Sequence, residues 1–363
     1  MPFLSIEQKV GQLFFVGIPG PELDGPTEKL LTEIAPGGVC LFARNIKTGP
    51  QTRELLEGIR RMLPVEPFLS IDQEGGRVDR LRRIITPMPA ANRFTNRADV
   101  EEFARLNSEV LRMLGFNMNF APVVDVIDDA RESATNGLYS RGFGRSPRDV
   151  IELSGAFLNE LQSGGIIGCL KHFPGLGASS VDSHDELPSV DINMDELAKC
   201  DLTPYDNMIA SKSAKMVMVA HAAYPSLELQ EADQSGRLLP SSLSFHIVTK
   251  LLRKKLGFGG VAITDDLEMG AVLKNYGVGE ACKMAINAGN DMLAICAKED
   301  AVREGYEAVL HAAHDGAIAK VRIDEAVNRI QVLRTELSAP LPFDADRVSQ
   351  LSSQIADLDR RLN

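Results

Sequence analysis

The sequence predicts an α/β protein, a single (β/α)8 TIM-type barrel with a C-terminal helical extension. Eight short, nearly continuous apolar runs alternate with longer amphipathic stretches, the pattern of parallel strands buried on both faces between helices. The 363 residues match one large barrel, an architecture that runs well past the usual domain size. Polar and ionisable residues follow the runs from the second to the seventh, and in a barrel those C-terminal strand ends form one ring.

The runs, in order, are Leu13–Gly17, Gly38–Phe42, Pro67–Ile71, Asn117–Pro122, Ile166–Leu170, Met216–Ala220, Gly260–Thr264 and Met292–Cys296. Helical patterns between them include Pro50–Leu63, Val100–Leu114, Pro147–Gln162, Ser241–Leu256 and Val278–Ala288. Ala43-Arg44-Asn45 follows the second run, Asp72 to Arg77 the third and Val123-Val124-Asp125 the fourth. Lys171-His172, His221 and Asp265-Asp266 follow the fifth, sixth and seventh. A doubly wound open sheet shares the local alternation, but it would spread these groups along a line with one crevice. The ring favours the barrel, expected over residues 1–338. Beyond Ala339, Pro340 and Pro342 break the preceding helix, and Asp344–Leu362 reads as a polar terminal helix. Residues 339–363 are therefore expected as an appendage packed on the barrel, too short for a domain.

Hydrophobic residues at 44% and charged residues at 25% are those of an ordinary globular chain. A net charge of −11 argues against a nucleic-acid partner, which calls for a basic surface. Five scattered cysteines, Cys40, Cys169, Cys200, Cys282 and Cys296, form no C-x-x-C pair. They suit isolated thiols in a reducing compartment better than a disulfide framework or zinc site. The first twenty residues lack a basic start, and Gly11, Gly17 and Pro19 break their apolar stretch, so neither a signal peptide nor a membrane span is expected. The cytoplasm is the expected location.

Three stretches carry candidate chemistry. In Val261-Ala262-Ile263-Thr264-Asp265-Asp266 a β-branched strand ends in carboxylates, which places one of them rigidly enough for a nucleophile. Capping of the next helix accounts for either Asp equally well. In Lys171-His172-Phe173-Pro174-Gly175-Leu176-Gly177 the first two side chains end a strand and can donate to substrate hydroxyls. Asp182-Ser183-His184 follows closely; in an extended segment both side chains point the same way. A carboxylate beside an imidazole makes an acid/base catalyst, although the bare pattern fits a solvated loop as well. In Asp72-Gln73-Glu74-Gly75-Gly76-Arg77-Val78-Asp79-Arg80, Asp72 can accept from vicinal hydroxyls and Arg80 can reach the same space. Glu74 and Arg77 read instead as structural, with Asp79 in an ion-pair cluster holding the Gly75-Gly76 turn.

Together these stretches resemble glycoside hydrolase family 3, in particular its bacterial β-N-acetylglucosaminidases. Further similarity lies in Val10-Gly11-Gln12-Leu13-Phe14, Gly115-Phe116-Asn117-Met118-Asn119-Phe120-Ala121-Pro122, Arg141-Gly142-Phe143-Gly144 and Val219-Ala220-His221. The resemblance implies a retaining, exo-acting enzyme with Asp265 as nucleophile, His184 as acid/base and Asp182 as its partner. It places the sugar ring against Asp72, Arg80, Arg141, Lys171 and His172, with weaker claims for Asp125 and His221. It implies a carbohydrate substrate, muropeptide fragments of peptidoglycan recycling among them, and no metal or cofactor. Neither nucleic acid nor membrane is an expected partner, and the chain is expected to be a monomer. Three positions depart from the family pattern: Leu176 stands in place of a second His, Gly142 in place of Ser, and Glu268 in place of a small residue.

A family 3 β-glucosidase commonly draws its acid/base from a second domain, for which no length remains. A phosphorylase uses the same groups, since an imidazole repels incoming phosphate less than a carboxylate does. Joint retention of Asp182, His184 and Asp265 argues against a non-catalytic sugar-binding barrel. A metal site built from His172, Asp182, His184 and His221 lacks the compact spacing of zinc motifs.

Overall fold

The computed structural model of the protein describes residues 4–132, 137–179 and 186–363. Parallel strands β1 (Phe14–Gly17), β2 (Gly38–Leu41), β3 (Phe68–Ile71), β4 (Met118–Asn119), β5 (Ile167–Phe173), β6 (Met216–Val219), β7 (Val261–Asp266) and β8 (Met292–Ile295) form a closed barrel. Each pairs with its neighbours in sequence, and β8 closes on β1 with Phe14 beside Leu293 and Val16 beside Ile295. The expected fold class is therefore the observed one. Phe14, Phe15, Val39, Leu69, Met118, Cys169, Val217, Ile263 and Leu293 are all buried, because one strand face fills the barrel and the other meets the helices. Close approach decides one position: a Cβ on Gly17 would lie 2.0 Å from the Cys296 carbonyl oxygen, so only glycine fits there.

Side chains set where the outer helices begin. Thr48, Asn96 and Ser146 accept from the backbone N–H groups of Gln51, Asp99 and Asp149, satisfying donors that a helix start leaves unpaired. Phe94, Phe103, Phe157 and Phe143 stack between Arg97–Leu114 and Pro147–Ser163. The final helix, Ala345–Arg361, buries Leu351, Ile355 and Leu358. Its Arg347 donates to both carboxylate oxygens of Glu109 at 2.6 and 2.9 Å. Among the described residues no helix is long and apolar enough to cross a membrane.

Several elements depart from their expected extents. The fourth run pairs as a strand only over Met118–Asn119, and Val123 then bridges singly to Lys171 and Gly142. The fifth extends to Phe173 and the seventh to Asp266, so the residues expected beyond these strands lie within them. The helix expected over Ser241–Leu256 divides into a 3-10 turn at Ser241–Leu243 and a π-helix over His246–Lys255. The peptide bonds Ala121–Pro122, Lys171–His172 and Phe173–Pro174 are cis.

Candidate active site

A cavity of about 200 Å³ opens at the C-terminal end of the barrel. Asp72, Arg80, Arg141, Lys171, His172 and Asp265, the described members of the expected site, all line it. Asp182 and His184, the expected acid/base pair, lie outside the described residues.

The wall made by β3, β5 and the loops above them is ionic. Lys171 Nζ lies 2.6 Å from Asp72 Oδ1 and 2.6 Å from Glu74 Oε1. Arg141 donates through Nε and Nη2 to the two oxygens of Glu74 at 2.8 and 3.0 Å. Burial disfavours charge on Glu74, yet Arg141 and Lys171 hold its carboxyl far below the usual range. Burial likewise opposes the Lys171 ammonium, which Asp72 and Glu74 nevertheless raise above its ordinary value. Both cations thus stay charged in a nearly dry wall, with Lys171 fixed as a donor. Phe42 adds an aromatic face at the rim, with the guanidinium carbons of Arg44 and Arg80 at 4.7 and 5.7 Å from its centroid.

The cluster expected at the Gly75-Gly76 turn is different in kind. Asp79 accepts from Gln73 Nε2 at 2.8 Å and from the backbone N–H groups of Leu81 and Met88 at 3.1 and 2.9 Å. Arg77 is exposed, and Glu74 turns inward to Arg141 and Lys171. The sequence reading missed this because the partners of Glu74 lie 67 and 97 residues away. Contacts of that separation leave no local pattern.

The last two residues of β7 are electrostatically opposite. Burial raises Asp265, but His172, then His221, the Asp266 N–H and Lys171 outweigh it and lower its pKa. Asp265 Oδ1 accepts that N–H at 2.9 Å. Burial pushes Asp266 up to about 7, with Glu268 and Asp265 adding to the rise. Asp266 Oδ1 accepts from the N–H groups of Glu268 at 3.0 Å and Cys296 at 3.3 Å. The choice between the two carboxylates that the sequence left open is thus divided by environment. Both line the cavity; Asp265 is the one whose surroundings favour the carboxylate, and Asp266 also ties the loops after β7 and β8. Beneath them, buried His221 contacts the Asp266 carbonyl through Nε2 at 3.0 Å and Ser242 Oγ through Nδ1 at 2.7 Å. Burial lowers its pKa, so the neutral ring donates from Nε2 and accepts from the Ser242 hydroxyl.

Asp125 organises the other flank. Its Oδ2 lies 2.8 Å from His172 Nδ1, and its Oδ1 accepts the Leu176 N–H at 2.7 Å. The Tyr224 hydroxyl donates to the Gly175 carbonyl at 2.6 Å. Gly175 has φ +140° and would place a Cβ 2.5 Å from that of Asp201, a backbone and a space that only glycine fills. Two departures from the family pattern find a place here. Leu176 is buried in the cavity wall, and Glu268 Oε2 accepts from Ala297 and Lys298 N–H at 2.6 and 3.2 Å. Among the described residues, no three His, Cys, Asp or Glu side chains gather in a way that could hold a metal ion.

Known proteins resemble this chain in sequence and in fold. The profile of the glycosyl hydrolase family 3 N-terminal domain matches residues 5–333. β-Hexosaminidase A of Pseudoalteromonas piscicida is 32% identical over 340 residues, covering 87% of this chain and 55% of its own length. The chain thus spans little more than half of that relative. β-Hexosaminidase of Pseudomonas aeruginosa is 34% identical over 286 residues, covering 77% of this chain and 80% of its own. The structure of a family 3 β-N-acetylglucosaminidase from Paenibacillus sp. str. FPU-7 superposes with a TM-score of 0.87 at 32% identity, covering 98% of this chain and 69% of that one. The β-N-acetylhexosaminidase of Beutenbergia cavernae gives 0.83 at 26% identity, covering 92% of this chain and 100% of its own.

Proposed function

The chain belongs to glycosyl hydrolase family 3, and from that footing we propose that it is a retaining, exo-acting β-N-acetylglucosaminidase. The observation that carries the proposal is the convergence of Asp72, Arg80, Arg141, Lys171, His172 and Asp265 on one cavity. Fixed donors and acceptors suit the hydroxyls of a terminal sugar, and an ionised carboxylate on a rigid strand end suits attack at its anomeric carbon. The names of the relatives, β-hexosaminidases and a β-N-acetylglucosaminidase, support N-acetylglucosamine as that sugar.

In the proposed reaction Asp265 attacks the anomeric carbon while His184 protonates the departing oxygen. A glycosyl–aspartate ester forms as the glycosidic bond breaks. His184, supported by Asp182, then takes a proton from the water that hydrolyses the ester, and configuration is retained. An imidazole replaces the usual second carboxylate because its pKa already lies near neutrality. No cofactor enters these steps. Peptidoglycan fragments ending in N-acetylglucosamine are the proposed natural substrates and the cytoplasm the proposed location, both on the strength of the sequence resemblance.

The test is turnover of an aryl β-N-acetylglucosaminide, compared with the aryl β-glucoside, with the anomer released followed by NMR. Release of the β-anomer and a preference for the acetamido sugar are expected. Asp265→Asn should lose at least about a thousandfold in kcat. An unchanged rate in that variant would end the proposed mechanism.

A further inference from the structure

Behind the cavity wall lies a buried ion pair that the proposed reaction does not use. Arg131, in the short helix Asp129–Glu132, donates to the two carboxylate oxygens of Asp201 at 2.8 and 3.1 Å. Its Nη1 also donates to the Val126 carbonyl at 3.0 Å, and its Nη2 lies 3.5 Å from Glu196 Oε1. Asp201 stands at the N-cap of the helix Leu202–Ala210, yet its side chain accepts no capping hydrogen bond. Arg131 and Asp201 are only 8% and 1% exposed, and burial pushes the Asp201 carboxyl up to about 6 against the pull of Arg131. An ion pair so buried adds little net stability, and this one also forgoes a cap. What it touches gives it another use. A Cβ on Gly175 would lie 2.5 Å from that of Asp201, and one on Gly177 would lie 2.1 Å from the Val126 oxygen and 3.3 Å from Arg131 Nη1. The backbone of residues 175–177 therefore rests directly on the pair and on the carbonyl that Arg131 holds. From the same stretch Leu176 and Ser179 line the cavity.

Resting on the activity proposed above, we infer that Arg131 and Asp201 are positioning residues for the acid/base: they fix the stretch 175–179, through which the chain runs from β5 to Asp182 and His184. Two other groups hold the same stretch, Asp125 on the Leu176 N–H at 2.7 Å and the Tyr224 hydroxyl on the Gly175 carbonyl at 2.6 Å. Past the dyad the chain is held again, where Ala223 donates to the Pro188 carbonyl and accepts the Val190 N–H, both at 2.8 Å. Asp125 also contacts His172, so its loss would disturb the sugar-facing wall. The partners of Arg131, which are Val126, Glu196 and Asp201, all lie outside the described cavity lining. A proton donor must come within hydrogen-bond reach of the leaving oxygen, and a misplacement of about 1 Å costs about a hundredfold in rate. Asp265 stands on β7, and Asp72, Lys171 and His172 stand on or just after β3 and β5, so none of them depends on this stretch. The pair therefore acts on protonation of the leaving group, and neither on binding of the sugar nor on attack by Asp265.

The experiment measures kcat/KM of Asp201→Asn and Arg131→Met on an alkyl β-N-acetylglucosaminide and on the 2,4-dinitrophenyl glycoside, each alone and in a His184→Ala background. Asp201→Asn keeps the shape of the side chain and an oxygen for Arg131, so it carries the test if Arg131→Met fails to fold. On the alkyl glycoside each variant should lose about tenfold or more. On the dinitrophenyl glycoside, and in the inhibition constant of N-acetylglucosamine, the change should stay within about twofold. In the His184→Ala background neither substitution should cost anything further on the alkyl glycoside, because the group being positioned is already gone. A merely structural role would lower both substrates alike and add to the loss from His184→Ala. Unchanged rates on the alkyl glycoside, equal losses on both substrates or additive losses overturn the positioning role alone. A His184→Ala enzyme that loses nothing, or loses equally on both substrates, overturns the acid/base reading and the positioning role together.

Discussion

Asp265 and Asp266 share a strand end but are shifted in opposite directions, and each shift has a measurable consequence. Asp265 is held below the usual carboxylate range, so the acid limb of kcat/KM should fall below the pH at which an ordinary aspartate titrates. Asp266 is raised from 3.8 to about 7. Between those values the folded state keeps its proton while the unfolded state has lost it, so this group removes stability as pH rises. Asp266→Asn keeps an oxygen for the Glu268 and Cys296 N–H groups but cannot ionise. The decline in thermal stability from about pH 4 to pH 7 should therefore be shallower in the variant, by an amount on the order of a few kcal/mol; parallel curves would refute the assignment. For the proposed acid/base the test is the leaving group. In kcat/KM, His184→Ala should cost about a hundredfold or more on a poor leaving group such as an alkyl alcohol, and far less on 2,4-dinitrophenol, which departs without a proton. Equal losses on both would point to a structural role.

At the scale of elements, the outline was legible where physics is local. Runs such as Phe14-Phe15-Val16 and Val261-Ala262-Ile263 are buried on both faces, and continuous apolarity reports that directly. The outer helices begin at Thr48, Asn96 and Ser146, whose side chains accept from residues three positions on. Extents failed where long-range pairing decides. Val123 bridges to Lys171, and the seventh strand runs two residues past its expected end at Thr264 because Ala294 on β8 pairs with Asp266. Asp72, Lys171, His172 and Asp265 could be nominated from strand ends and Arg80 from the loop after Asp72, whereas Arg141 came from the family resemblance alone. Glu74 could not, because its role depends on Arg141 and Lys171 from other elements. The helix Ala345–Arg361 offers a prediction of its own. Deleting it removes Leu351, Ile355 and Leu358 and uncovers their seat on Arg97–Leu114. Three such side chains correspond to about 5 kcal/mol of lost burial, so a marked fall in melting temperature is expected by calorimetry, with the cavity residues untouched in sequence.

Taken whole, the molecule carries a net charge of −11, and its site sits in a barrel mouth where such a field would be felt. One wall of the cavity is nevertheless locally neutral. Asp72 and Glu74 face Lys171 and Arg141 at contact distance, so the four charges cancel within the wall. For a sugar without charge this sets an unusual thermodynamic condition: binding neither releases nor recruits counterions. The Michaelis constant for a neutral aryl glycoside should therefore change by less than about twofold between 20 and 500 mM salt, although the Debye length shrinks severalfold over that range. A steep dependence, read from KM against ionic strength, would mean that the quartet is not balanced in the working enzyme. If the balance holds, the barrel presents its substrate with the electrical equivalent of a zwitterion, polar at every hydroxyl and silent at long range.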